Sequence, residues 1–398
     1  MGNCLSSQAR TQPEDDAAPL PALHACSKTV SATATITKSL KADIAAVLTD
    51  LLPAWKSPTP NDLDVSVISG GISNALYRVA LTRVTASPFE AVSPPEDGPA
   101  YLQQVVVLRV YGNNTEKFVD REVEVETMRT LYRHGFGPAV LGVFANGRVE
   151  SYLTGMVCLS PDDLSKEEMS TRIAETLARF HSLSSHKSGG RSVKFPVARP
   201  DEPGQRPGTP FEKTRSWLKT SKTLADEGGY TQRQRAIWEG LDVDSILEEL
   251  RQLEAKALKL KSPLAFTHND LLSGNIMVDA DTMTFIDFEY ADWAPRGFDL
   301  GNHFCEYAGF DCDYSKYPDE SRVFVRAYLR VYEGETPSEA KVAQVVREAN
   351  LFALAAHLYW GAWCMLQAAW SDIDFDYMKY AKLRVDEFYR RKRDWACA

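Results

Sequence analysis

The sequence predicts an α+β fold in two lobes, a small one built on an antiparallel sheet and a larger, mainly helical one. Two observations predict it. The 398 residues are too many for one simple core and suit two units of ordinary domain size. Strand-length apolar runs crowd into residues 64–154, whereas helical spacing dominates from 155 onward.

Residues 1–35, rich in Ser, Thr, Ala and Pro without periodicity, read as a flexible tail. Leu40, Ile44, Val47, Leu48, Leu51 and Leu52 have helical spacing, and Pro53 stops that helix. Residues 64–81 read as two strands joined by a turn at Gly70 and Gly71. A proline-rich stretch, 87–99, reads as a loop insertion, and 104–111 as a buried strand. An acidic amphipathic helix over 118–134 and a hairpin over 138–153 complete the small lobe, 36–154. The large lobe, 155–398, is expected to hold helices over 166–182, 213–225, 242–260, 320–332, 338–370 and 376–393. A long exposed loop, 187–212, dense in Gly, Pro, Arg and Lys, interrupts them.

Composition narrows the function. A hydrophobic content of 44% and a charged content of 25% are those of a soluble globular chain. The net charge of −9 leaves no basic footprint for nucleic acid, which is set aside as a partner. Seven scattered cysteines without metal-ligand spacing, and no secretory signal, fit reduced thiols and a cytoplasmic location. Residues 351–370 carry no charge over nearly a bilayer's length. His357, Gln367 and several small residues make a buried helix the better reading of that run than a membrane span.

The chemistry lies in residues 266–290. The run Phe-Thr-His-Asn-Asp-Leu-Leu-Ser-Gly-Asn, 266–275, is followed by Thr-Phe-Ile-Asp-Phe-Glu-Tyr, 284–290. An aspartate, an asparagine five positions on and a second aspartate closing an apolar run suit phosphoryl transfer. Asp270 is the expected proton acceptor, with His268 bracing its loop, and Asn275 and Asp287 offer the oxygen donors that Mg²⁺ favours. Alone, 270–275 also fits a helix-capping turn, but such a turn does not explain Asp287. Upstream, Gly70, Gly71, Ser73 and Asn74 lie between two strands and suit either a phosphate cradle or an ordinary hairpin turn. Arg109, on the third strand, sits where a phosphate-touching cation is expected. Glu124 on the next helix is its candidate partner, with Glu122 and Glu126 as alternatives.

These motifs, together with residues 296–306, Arg-Gly-Phe-Asp-Leu-Gly-Asn-His-Phe-Cys-Glu, resemble the choline/ethanolamine kinase family over about Asp64 to Tyr389. The resemblance implies a protein-kinase-like fold and ATP- and Mg²⁺-dependent phosphorylation of an amino alcohol, a reaction that feeds phospholipid synthesis. By matching position it implies Asp270 as base, Asn275, Asp287 and Glu289 at the metal, and Arg109 with the Gly70–Gly71 turn at the ATP phosphates. It also implies that Tyr290, Glu306, Trp360, Trp363 and Tyr380 line the amino-alcohol pocket. Trp360 and Trp363 share a helix face, and Tyr377 and Tyr380 repeat that spacing, so a cage for a cation is also readable from the residues. Residues 296–306 look like the choline form, whereas 307–317 and 373–377 look like the ethanolamine form, so either acceptor is expected. A homodimer is frequent in the resembling family. Two other readings are an aminoglycoside-phosphotransferase-like kinase, which has no use for the aromatic cage, and an inactive kinase-like scaffold at a membrane.

The N-terminus adds an address. Met-Gly-Asn-Cys-Leu-Ser, 1–6, fits the myristoylation pattern at Gly2, with Cys4 placed for palmitoylation. A flexible tail so acylated would hold the enzyme at the cytosolic face of a membrane.

Overall fold

The computed structural model describes residues 22–68, 74–82, 104–112, 114–184, 193–197, 199, 209–318, 321–371 and 373–396. Gly2, Cys4, Gly70, Gly71 and Ser73, the 87–99 insertion and much of the 187–212 loop therefore lie outside the described residues.

In the first half, strand β1 (Ala25–Cys26) precedes helix α1 (Lys38–Leu51). Strands β2 (Leu63–Val67), β3 (Asn74–Leu81) and β4 (Val105–Tyr111) lead to helix α2 (Arg121–Arg133) and the hairpin β5 (Val140–Phe144) and β6 (Gly147–Ser151). They form one six-stranded sheet in the order β1-β5-β6-β4-β3-β2. All its pairs are antiparallel except β1 with β5. The apolar stripe of α1 (Leu40, Ile44, Val47, Leu48, Leu51) and inward residues such as Val79, Val106, Leu108 and Val149 share one core.

The β1 strand corrects the flexible-tail expectation for its last residues. Backbone carbonyls of His24 and Lys28 accept hydrogen bonds from Val143 and Ala145, and Asn146 pairs with both backbone groups of Val30. Val30 is buried in the same core. A two-residue strand with one apolar anchor leaves no periodicity to read.

The larger half begins with β7 (Val157–Cys158), α3 (Pro161–Leu164) and α4 (Glu167–Ser182), then α5 (Pro210–Asp226), α6 (Gln232–Leu241) and α7 (Val243–Leu260). Strands β8 (Leu264–Thr267), β9 (Ile276–Val278), β10 (Met283–Phe285) and β11 (Asp292–Pro295) surround the loop of interest. Helices α8 (Arg296–Cys305), α9 (Arg322–Glu333), α10 (Glu339–Trp370) and α11 (Tyr377–Ala396) complete it. The expected 213–225 helix starts earlier, at Pro210, because Thr209 and Glu212 form a capping box ahead of it. Helix α6, which the sequence reading missed, is bounded by a similar box from Thr231 and Gln234 and has only Leu241 buried. It lacks the apolar stripe that signals a packed helix.

Helix α10 is buried from Phe352 to Gln367, as the reading of 351–370 expected. Among the described residues no helix is long and apolar enough to cross a membrane. Helix α10 packs against α8, whose two glycines sit four apart and so on one face. A Cβ at Gly297 would lie 2.5 Å from the Phe352 ring, and one at Gly301 2.4 Å from the Ala349 carbonyl oxygen. Absent side chains thus let the two helices approach backbone to backbone. Arg296, ion-paired with Glu348 at 3.3 Å, pins the start of α8 to α10.

Gly301→Ala is expected to lower the unfolding free energy by about 1–3 kcal/mol, since backbone atoms of α10 cannot yield to the added methyl. Gly240→Ala in α6, where a Cβ would meet no described atom within 4 Å, should be neutral or stabilising by up to about 1 kcal/mol. Urea unfolding of the two variants checks the contrast.

Candidate active site

The loop after β8 is held by its backbone. Asp299, on α8 and wholly buried, accepts hydrogen bonds from the N–H of His268 (2.8 Å) and of Asn269 (2.9 Å). His181 of α4 donates Nε2–H to the same carboxylate at 2.9 Å and accepts from the Tyr328 hydroxyl through Nδ1. Burial works against the Asp299 charge, yet these donors hold its carboxyl below the usual range. Asn269 adopts φ +65°, a left-handed conformation that Asn tolerates better than most residues. Its side chain donates to the Tyr290 carbonyl at 3.0 Å, and its own carbonyl accepts from Asn302.

This bracing fixes His268 and Asp270. His268 donates Nε2–H to the Ile286 carbonyl at 3.0 Å and accepts the Asp270 N–H at Nδ1, 3.3 Å away. Burial lowers its pKa, so it stays a neutral brace joining the loop to the strand end before Asp287. Asn275 donates its side-chain amide to Asp270, at 2.8 Å to the carbonyl and 3.2 Å to the carboxylate. Burial, then Glu306, Asp287 and Glu289, push the Asp270 carboxyl well above its ordinary range. That is the state of a carboxylate crowded by others.

Asp287, at φ +64°, turns the chain so that its carboxylate faces the sheet of the first half. Arg109 donates to it at 3.2 Å. Burial opposes the Asp287 charge, but Arg109 and Arg148 hold its pKa down. Glu289 is pushed up by burial, then by Asp287 and Glu124. Oxygens of Glu124, Asp287 and Glu289 all lie within 4.8 Å of one another. Hard oxygen donors in a surplus of negative charge fit a Mg²⁺ site.

One expectation about Arg109 changes. Its ion-pair partner on the sheet is Glu150 of β6, at 3.2 Å, rather than a glutamate of α2. Glu124 is engaged by Arg121 (2.7 Å) and Arg148 (2.9 Å). The alternation of β6 explains it: Arg148 and Glu150 point to one face, the face that receives Arg109 from the neighbouring strand. Charged residues two apart in a strand, unpaired with any solvent-facing pattern, were the signal the sequence reading passed over. Asn74 does reach the site, its Nδ2 lying 3.5 Å from Glu289.

The aromatic residues also converge. Tyr290, Trp360 and Trp363 meet pairwise at 5.3, 5.5 and 6.4 Å between ring centres, with planes near perpendicular (79°, 78° and 83°). Tyr377 joins at Trp363 (5.9 Å), and Tyr380 packs one ring away, through Phe375. Trp360 is oriented by donating Nε1–H to Asn302 at 2.7 Å, a fixture the sequence reading did not name. Glu306 pairs with buried Arg384 at 3.4 Å, and burial raises its pKa against that pairing. From the other half, Phe118 touches both Trp363 and Trp370.

Residues 65–389 match the model of a family described as choline/ethanolamine kinase. The chain belongs to the choline/ethanolamine kinase family. It is 34% identical over 345 residues to the probable ethanolamine kinase A of Dictyostelium discoideum, covering 86% of this chain and 89% of the relative. It is 35% identical over 308 residues to the probable choline kinase 2 of Arabidopsis thaliana, covering 75% and 79%. Among solved structures, a Plasmodium vivax ethanolamine kinase superposes with a TM-score of 0.70 at 25% identity, covering 88% of each chain. A Cryptosporidium parvum choline kinase, at 0.66 and 24% identity over 88% of this chain and 95% of its own, shares the fold. The protein-kinase-like fold expected from the sequence is thus that of the family, and neither the aminoglycoside-type kinase nor the inactive scaffold is favoured.

His303, on the family segment 296–306, donates Nδ1–H to the Leu271 carbonyl at 2.9 Å, and burial pushes its pKa down to about 4. The unfolded chain, with an ordinary imidazole near 6.5, therefore binds the extra proton first as pH falls. The stabilisation from His303 is full above about pH 6.5 and, on the order of 3 kcal/mol, is lost as pH falls toward 4. The stability advantage of the wild type over His303→Gln should shrink accordingly between those pH values in denaturant titrations.

Proposed function

We propose that this protein transfers the γ-phosphoryl group of Mg·ATP to the hydroxyl of choline, ethanolamine or both, with Asp270 as the group that accepts the hydroxyl proton. The observation that carries this is the convergence of Asp270, Asn275, Asp287 and Glu289 beside the Tyr290–Trp360–Trp363 corner. Relatives named for both amino alcohols support the substrate class.

In this reading the small lobe, 36–154, holds the nucleotide and 155–398 holds the acceptor. Asp287, Glu289 and the Asn275 amide oxygen would hold Mg²⁺, which, when bound, neutralises charge developing on the transferred group. Arg109, kept on the sheet by Glu150, directs positive charge to the phosphates, and Asn74 lies at the same site beside Glu289; Gly70, Gly71 and Ser73 keep the phosphate-binding role that the sequence suggests. The aromatic faces of Tyr290, Trp360, Trp363, Tyr377 and Tyr380 suit the cationic head, each contact contributing about 0.5–2 kcal/mol. Glu306 adds an anion on the same side. The cation's neighbourhood and metal loading both favour the ionised form of Asp270, which in their absence its crowding disfavours.

A coupled ADP-release assay with choline and ethanolamine side by side tests the proposal; no ADP release with either would overturn it. Asp270→Asn should cut turnover by about 10²–10⁴-fold while leaving ATP binding within a few-fold by calorimetry.

Acylation of Gly2 and Cys4 belongs to the same proposal and rests on the sequence alone, and homodimer formation rests on the family resemblance alone. Labelling with an alkyne myristate analogue should mark the wild type and not Gly2→Ala, and membrane fractionation should follow the label.

A further inference from the structure

Arg121 brings a positive charge into the place where the proposed reading puts a divalent cation. It opens α2, with its side chain 15% exposed. Nη1 donates to Glu124 Oε2 at 2.7 Å and to Glu289 Oε2 at 3.2 Å. Nη2 donates to Asn74 Oδ1 at 3.4 Å, and the guanidinium carbon stands 4.3 Å from the centre of the Tyr111 ring. Its Nε is buried with no hydrogen-bond partner among the described residues. The position therefore serves the two carboxylates rather than complete hydrogen bonding of the guanidinium.

Those carboxylates are two of the three whose oxygens lie within 4.8 Å of one another. A guanidinium bridging Glu124 and Glu289 supplies part of the charge that a metal ion there would supply. The two cations compete, because like charges a few ångströms apart repel strongly away from water. Releasing Glu289 would leave Arg121 its pair with Glu124, one turn along the same helix, and its stacking on Tyr111.

We propose that Arg121 is an internal cation that holds Glu289 in the metal-free protein and gives it up when the divalent ion binds. Partner exchange by Arg121 and metal loading are then one event, linking α2 and the first residue of β3 to the carboxylates after β10. The inference rests on the reading of Asp287 and Glu289 as metal ligands. It makes Arg121 a positioning residue, since it acts through Glu289.

The test is Mn²⁺ binding to the nucleotide-free, full-length protein, followed by the electron paramagnetic resonance signal of free Mn²⁺. A bound competitor lowers apparent affinity by the fraction of molecules it leaves competent, so Arg121→Gln should bind Mn²⁺ roughly tenfold more tightly than the wild type. Arg121→Lys, which keeps one charge but cannot bridge two carboxylates as a planar fork does, should fall between them. Binding by folded Arg121→Gln that is equal to or weaker than wild type overturns the proposal. Should that variant fail to fold, Arg121→Lys decides by the same criterion. Asp287→Asn serves as the control for the metal reading itself: a wild type that binds Mn²⁺ no better than this variant overturns that reading and the exchange with it.

Discussion

Asp299 takes three hydrogen bonds in a region that water does not reach, two from successive backbone N–H groups of the reacting loop and one from His181. Charge-assisted bonds of this kind are about twice as strong as neutral ones, and losing the carboxylate would orphan buried donors on two elements at once. Much of the site follows from it. The left-handed turn at Asn269 is stable because both flanking N–H groups are already held. That turn lets the Asn269 amide reach Tyr290 and its carbonyl reach Asn302, which in turn orients Trp360. One anion on α8 therefore sets both the loop that carries Asp270 and the wall that carries the aromatic corner. The two glycines of α8 belong to the same constraint, since they fix how deeply Asp299 sits over α10.

Across the cleft the governing quantity is charge. Arg109, Arg121 and Arg148 face Glu124, Glu150, Asp287 and Glu289, with Asp270 close behind. Burying so many ions without water is costly unless each is paired, and unpaired excess shows as shifted protonation. The excess here is negative: burial, then neighbouring carboxylates, push Asp270 and Glu289 up, while Asp287 is held down by Arg109. A site left short of positive charge by its own side chains is one that gains from an added cation.

How far the sequence could be read follows the same physics. The order of strands and helices was legible because most elements carry an apolar stripe, as α1 does, or a long uncharged run, as α10 does, and the loop after β8 was legible because its residue types are chemically restrictive. Element β1 was not, since two strand residues and one anchored Val30 make no period. Helix α6 was hidden for the opposite reason, being a well-capped helix with almost no buried face. Glu150 was not among the candidates for Arg109, because strand register decides that pairing: Arg109 lies opposite Arg148, and Glu150 comes in from the same face two residues on. Asn302 and Arg384 carry no local signal, as each acquires its role from distant chain, Asn302 from Asn269 and Trp360 and Arg384 from Glu306.

In the proposed reading the aromatic corner and the carboxylates divide the recognition of a small cation between them. Glu306 is partly neutralised by Arg384 at 3.4 Å, so in the proposed reading it cannot alone select for positive charge. After burial, Glu306 is the neighbouring charge that most raises the Asp270 pKa. The faces of Tyr290, Trp360 and Trp363 add attraction that needs no N–H donor on the guest. A trimethylammonium head would draw chiefly on the rings, and a primary ammonium chiefly on the carboxylates. Because Arg384 competes for Glu306, the balance between the two guests depends on how firmly that buried arginine holds its partner.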